Sequence, residues 1–279
     1  MTHRKLITLL SGMLLFAGLS ATSFSQKSTE HEDFDNYKLR IDGTWYYAEP
    51  SGYLQGNTTG GTNVPQIDLQ KDLGLPSYST FAGKLDWKFT RKNHLYLVGS
   101  PFNMSHSTVL TRTFTFQGQT FTAGLTSAST LNTTFIAPGY QYDFIRRKRG
   151  HLGLALQMDF FDSKATIKAA AQVVGGVNRP AVSASGSLLT PMPVAGPEFR
   201  FYLTNSPRLF VQGNLFGMYL FGYGNFISAS GSVGFNVAKH LAVIGGYELA
   251  THLEVNNAAD RIGFHFTQKG AIAGLEASF

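Results

Sequence analysis

From Lys38 to the end of the chain, hydrophobic residues recur at every second position in one segment after another. In one segment Leu152, Leu154, Leu156, Met158 and Phe160 share a face, and Gly153, Ala155, Gln157, Asp159 and Phe161 share the other. In a later one Ile227, Ala229, Gly231, Val233 and Phe235 oppose Ser228, Ser230, Ser232, Gly234 and Asn236. A two-residue period is that of a β-strand whose two sides meet different surroundings. Two kinds of connector alternate between the segments. Short charged ones are Arg91-Lys92-Asn93-His94, Arg146-Arg147-Lys148-Arg149-Gly150, Thr204-Asn205-Ser206-Pro207-Arg208 and Val237-Ala238-Lys239-His240. Longer ones, rich in Gly, Asn, Ser and Thr, cover roughly 50–78, 116–130, 172–184, 222–226 and 255–261. Four short and five long connectors predict ten strands, with both ends on the side of the short turns. Eight would merge hairpins that each alternate well, and twelve fits less well.

A soluble sandwich alternates too, so the choice between it and a barrel rests on other features. Thr2-His3-Arg4-Lys5 is basic, Leu6–Leu19 is apolar and residues 20–25 are mostly small, which is the make-up of a signal peptide. The expected division is a leader over 1–25, a polar linker over 26–37 and a barrel over 38–279; cleavage after Ala21 is the alternative to Ser25. Aromatic residues gather at strand ends, at Trp45, Tyr46, Tyr47, Trp87, Phe89, Tyr140, Tyr142 and Phe144. The fold class expected is all-β, a closed antiparallel transmembrane β-barrel with a greasy outside and a small-residue or polar inside.

Composition narrows the field further. Only 14% of the 279 residues are charged, against about 25% in a soluble domain. The mean hydropathy is −0.05, and past residue 25 no run approaches the ~18 apolar residues of a membrane helix. An aromatic content of 13% excludes disorder, and the lack of cysteine excludes disulfides, thiolate metal sites and a lipid-bearing N-terminus. Without Arg4 and Lys5 the formal charge falls from +6 to +4, too little to imply nucleic acid.

The last segment, Gly270-Ala271-Ile272-Ala273-Gly274-Leu275-Glu276-Ala277-Ser278-Phe279, alternates and finishes in phenylalanine. It resembles the C-terminal insertion signal of Gram-negative outer-membrane proteins, so the chain is similar to small porin-like members of that superfamily. The resemblance implies outer-membrane lipid as surroundings, recognition of Phe279 by the barrel assembly machinery, and integral outer-membrane location after export. Ile67-Asp68-Leu69-Gln70-Lys71-Asp72-Leu73-Gly74-Leu75 in the first long loop looks like a segment of many such barrels, either a short amphipathic lid or a mobile surface loop.

Alternation assigns Arg40, Asp42, Lys84, Asp86, Lys88, Asp143, Asp159, Glu198, Arg200, Glu248, His252 and Glu276 to the lumen. Eight strands leave a lumen that side chains fill, and sixteen leave a water channel. Ten strands therefore predict opposite charges pairing across a narrow, charge-filled interior. The acidic excess would favour cations if the lumen conducts.

Catalytic constellations are poor. His252 and Glu254 lie two apart, with His265, Asp260 and Arg261 close by, but that spacing puts any two strand residues on one face. In Ser105-His106-Ser107 the histidine points away from both serines. Resemblance to the omptin proteases is limited to strand count, the histidines are too scattered for a metal, and Gly60-Gly61 and Gly175-Gly176 precede no helix, so no cofactor is implied. Pro191-Met192-Pro193 is expected at the entrance of the sixth strand, with Pro101 and Pro138 marking bulges or ends of pairing. The role expected is a non-enzymatic structural, adhesive or minor porin-like one, with long loops offered to an extracellular ligand. A small-solute or ion channel, and a lipid- or peptide-directed hydrolase, are the alternatives.

Overall fold

The computed structural model describes residues 34–55, 66–204, 206–220, 224–257 and 262–279. The leader over 1–25, linker residues 26–33, Gly60-Gly61, Asp260 and Arg261 lie outside the described residues. The described residues form β1 (Leu39–Gln55), β2 (Gln66–Asp68), β3 (Tyr78–Lys88), β4 (Asn93–Val109), β5 (Phe114–Phe116), β6 (Gln119–Phe121), β7 (Thr126–Arg147), β8 (Gly150–Ala169), β9 (Gln172–Val174), β10 (Val177–Arg179), β11 (Val182–Tyr202), β12 (Leu209–Leu220), β13 (Gly224–Ala238), β14 (Leu241–Asn257) and β15 (Ile262–Ser278). Ten of these, all but β2, β5, β6, β9 and β10, pair antiparallel in chain order, and β15 returns to β1 from Arg40↔Ser278 to Gln55↔Gly263. The sheet is a closed ten-stranded barrel, as the alternation predicts. β2 extends the edge of β1, and β5–β6 and β9–β10 are small hairpins in long connectors.

The seam is tied at its end by the last residue. Phe279 donates its amide to the Leu39 carbonyl at 2.8 Å and accepts from the Leu39 amide at 3.1 Å, while its ring stacks on His240. Among the short turns, Gly150 has φ +141°, and a Cβ there would collide with the Arg200 carbonyl of the neighbouring strand. The tight β7–β8 turn therefore requires glycine.

Large apolar side chains stand exposed around the outside, among them Ile41, Trp45, Phe81, Leu85, Trp87, Leu97, Leu154, Ile227, Val233, Val243 and Leu275. A belt of this extent is what lipid contact requires and what a soluble monomer avoids. Tyr46 does not belong to it, since it lines the interior.

The barrel is not of uniform height. β7 has 22 residues, roughly 70 Å at the rise of an extended strand, against a hydrocarbon layer of ~30 Å. With β4, β8 and β11 it forms a tall wall, whereas β12 has 12 residues. Along this wall the polarity of the two faces inverts. On β8 the outward side changes from Leu154, Leu156 and Phe160 to Asp162, Lys164 and Lys168, and the inward side from Gln157 and Asp159 to Phe161, Ala165 and Ile167. Below the crossover the outside meets lipid; above it the outside meets water and the inside becomes an apolar core.

Pro191-Met192-Pro193 lies in the middle of β11, not at its entrance. β12 pairs with β11 only from Ala195↔Gly217 to Tyr202↔Phe210, so among the described residues Val182–Val194 is paired with β8 alone. An edge is where a strand tolerates residues lacking an amide hydrogen. Pro101 and Pro138 pair with Thr134 and Leu97 in an unshifted β4–β7 register, so neither marks a bulge in that pairing.

Candidate functional site

The inner end of the barrel is filled by a short N-terminal segment and the charges that hold it. Asp35 sits at the centre. Its carboxylate pairs with Arg40, lies 2.9 Å from His151 Nδ1 and 3.4 Å from Lys88 Nζ, and its carbonyl accepts from Lys88 at 2.9 Å and Arg146 at 2.7 Å. Tyr37 lies between two cations, with Lys88 Nζ 3.7 Å and Arg40 Cζ 3.8 Å from its ring centroid, and donates its hydroxyl to Asp86 at 2.8 Å. His94 bridges Asp86 (3.1 Å) and Asp143 (3.0 Å) through its two ring nitrogens, and Arg146 holds Asp143 at 2.9 Å. Arg200 forms a two-pronged pair with Glu276, which lies 3.5 Å from Arg40, and its guanidinium rests on the Phe210 ring at 4.2 Å. Phe34 packs on Tyr202 beneath this layer.

Arg40, Asp86, Lys88, Asp143, Arg200 and Glu276 thus meet in one buried network. Asp35, Tyr37, His94, Arg146 and His151 belong to it equally, and sequence reasoning missed them. Asp35 and Tyr37 fall in the polar linker, and His94 and Arg146 within charged turns. For His94 and His151 the signal was available: they share the parity of Tyr96 and Gly153, both inward.

Above the network lies a cavity of about 260 Å³. Lys84 reaches across it to Glu198 at 3.1 Å. Tyr96 donates to Gln157 at 2.9 Å, Gln157 donates to Asp159 at 2.6 Å, and Gln268 donates to Glu248 at 3.2 Å. Asp42 Oδ1 and Asp159 Oδ2 are buried without a hydrogen-bond partner among the described residues. The ceiling is aromatic: Phe102 stacks on Phe266, and Phe161 packs at a tilt against Phe135 and Phe226.

The outer half of the interior is apolar, which corrects the expectation of an interior filled with charge throughout. Ile67 and Leu69 are fully buried and pack with Leu73, Leu75, Leu110, Phe114, Phe116, Phe121 and Leu125 from two long loops against the tall wall. Ile67–Leu75 is therefore the lid of the two readings open for it. Asp68 Oδ1 accepts from the Gln70 and Lys71 amides, starting a helical turn that Gly74 ends at φ +66°.

Arg112 clamps the two loops together by gripping both oxygens of Asp72. Burial alone would raise the Asp72 carboxyl, but the Arg112 hydrogen bonds and charge outweigh it and hold the group below its ordinary value. A lowered carboxyl stabilises the clamp fully above the ordinary aspartate range, about pH 4, and loses that contribution as pH falls through the lowered value. Arg112 is half-exposed, so the contribution is under about 1 kcal/mol. Arg112→Ala is expected to raise protease cleavage of this loop modestly at pH 7, and the difference from the parent should vanish in strong acid.

His252 is not in the lumen. A β-bulge in β14 between Glu248 and Thr251 inserts one residue against β15, so Glu248 and Leu253 are both buried inward and His252 turns outward. Single-residue insertion reverses every face beyond it. On the outer wall His252 packs edge-on against His265, which stacks on Tyr53, and Glu254 accepts from Asn225 at 2.8 Å. His106 is exposed beside Gly74 of the lid, on the face opposite Ser105 and Ser107. Among the described residues no three His, Asp or Glu side chains converge to hold a metal ion.

Neither a protein-family model nor a curated protein matches the chain. Among solved structures, outer-membrane protease OmpT from Escherichia coli aligns over 91% of this chain and 100% of its own, with a TM-score of 0.55 at 13% identity. The fold is that of an outer-membrane β-barrel. At this identity the likeness to OmpT extends to fold alone. Two further outer-membrane barrels align more loosely. The translocator domain of autotransporter NalP from Neisseria meningitidis covers 98% and 97% of the two chains at 10% identity and a TM-score of 0.43. The attachment invasion locus protein Ail of Yersinia pestis covers 86% and 99% at 10% identity and a TM-score of 0.34.

Proposed function

We propose that this chain is an integral protein of the bacterial outer membrane whose barrel is closed by its own residues and which acts at the cell surface, without catalysis, through its outer loops. The observation that carries the reading is the double filling of the lumen. An ion-paired layer around Asp35 occupies the inner mouth, and the loop core around Leu69 and Phe121 occupies the outer half. Charges paired in this way obstruct ions, and breaking one of the buried pairs is costly. The inner Asp and His groups are bonded to one another and covered by Phe34 and Tyr37, which leaves a substrate no approach to them. A surface role is supported by the tall wall and by the β9–β10 hairpin above it, where Val173 and Val177 stand exposed. Insertion would be directed by Phe279, read by the barrel assembly machinery.

Planar-bilayer recording on the folded, mature barrel tests this reading. No conductance steps above the protein-free background are expected, and reproducible steps would overturn closure in favour of a channel.

A further inference from the structure

We propose that the cavity in the middle of the lumen is a binding site for a small organic ammonium ion carrying an aromatic or short apolar body. The inference rests on the closed-barrel reading, since an open pore would hydrate the same groups. Asp159 is fully buried, lines the cavity, and keeps Oδ2 without a partner among the described residues. Asp42, which also lines it, keeps Oδ1 without a hydrogen-bond partner among the described residues, but Lys84 stands opposite it on β3 as a counter-charge, so Asp159 alone carries the inference. A buried carboxylate lacking a counter-charge costs several kcal/mol, so a site of this kind favours an occupant that supplies a positive charge and hydrogen-bond donors.

The cations of the cavity wall are already committed. Lys84 is bound to Glu198, Arg40 to Asp35 and Arg200 to Glu276. An external cation is therefore the complement that remains. A bare metal ion suits the site badly, because among the described residues no three acidic or histidine side chains converge on one point. The surroundings suit an amphipathic cation better. Phe161 follows Asp159 on the same face of β8, pairs with Phe135 at 4.9 Å between ring centroids and meets Phe226 at 6.1 Å. Phe216 also lines the space. An ammonium group held at Asp159 would place its apolar body against these rings, whose faces attract cations as well as hydrocarbon. The volume of about 260 Å³, some ~8 waters at the liquid density of water, fits one ring and a two-carbon arm.

Calorimetric titration of the folded protein in micelles with 2-phenylethylammonium, and with the uncharged isostere 2-phenylethanol, tests the assignment. Saturable 1:1 binding of the ammonium is expected, weaker by at least about tenfold for the alcohol and by a similar factor in Asp159→Asn, as loss of a charge-assisted hydrogen bond requires. Folding of the variant is checked by heat-dependent gel mobility. If Asp159→Asn does not fold, the comparison of ammonium with alcohol on the parent protein decides the matter alone. Equal affinity for ammonium and alcohol, undiminished binding in the folded variant, or no saturable binding of the ammonium would each overturn the proposal. Bilayer silence together with absent binding would sink this proposal alone; conductance steps would sink the closure on which it stands.

Discussion

Asp35→Ala is expected to destabilise the folded barrel by about 3–5 kcal/mol, the cost of removing one partner from a buried ionic cluster. Asp35 faces Arg40, Lys88, Arg146, Arg200 and His151 within 4.0 Å. Its removal leaves those groups facing one another with Glu276 and Asp143 as the nearest counter-charges. The loss is not that of one salt bridge, because the cations repel as soon as the central carboxylate is gone. Urea unfolding in detergent, followed by gel mobility, measures it. Lys88→Met introduced with Asp35→Ala should recover part of the loss, since it removes a cation stranded by the first change. A full double-mutant cycle then gives the coupling between the two residues. A loss under about 1 kcal/mol, the value of an exposed pair, would mean that water reaches the cluster and that Phe34–Lys38 is not a plug. The same variant should unseat Phe34 and Tyr37, which Lys88 and Arg40 hold through the Tyr37 ring.

How much of this was legible in the sequence depended on how far one local rule extends. Alternation located the ten strands because a strand between lipid and lumen has a two-residue contrast that turns interrupt. It failed at three places for three physical reasons. At β14 the bulge beyond Glu248 has no marker in the hydrophobic pattern, so His252 was given the parity of Glu248 although it points outward. At β8 the switch from Asp159 and Phe160 to Phe161 and Asp162 was written in the sequence, as charge moving from one parity to the other, but a single inside-out rule applied to the whole strand hides it. At Asp35 and Tyr37 there is no periodicity to read, because a plug is positioned by partners distant in the chain, such as His151. Charged turns at Arg91–His94 and Arg146–Gly150 likewise concealed His94 and Arg146, whose roles depend on which face the adjoining strand presents. The lid could be read as a choice between two states, and burial of Ile67 and Leu69 decides it.

Phe121→Ala, at a fully buried position in the loop core, is expected to open the outer half of the interior while leaving the membrane-embedded barrel folded. Removing a buried phenylalanine costs about 3–5 kcal/mol through lost transfer energy and the cavity left behind. Phe121 stacks on Phe114 at 5.5 Å and belongs to the cluster that buries Leu69 and Leu110. Its loss therefore falls on loops joined to the barrel by this core and the short β1–β2 ladder, and to each other by the half-exposed Arg112–Asp72 clamp, worth under about 1 kcal/mol. The barrel below is held by long unshifted ladders such as β1–β15 and β4–β7, which the substitution does not touch. Local opening with the barrel intact should appear as new protease cleavage in residues 56–77 or 110–125 on intact cells, with heat-dependent gel mobility unchanged. If urea instead unfolds the whole molecule earlier and no local cleavage appears, the lid and barrel form one cooperative unit. In that case access to the cavity around Asp159 cannot depend on independent movement of the lid, and a ligand is expected to enter where strand pairing stops short, as between β11 and β12 beyond Ala195↔Gly217.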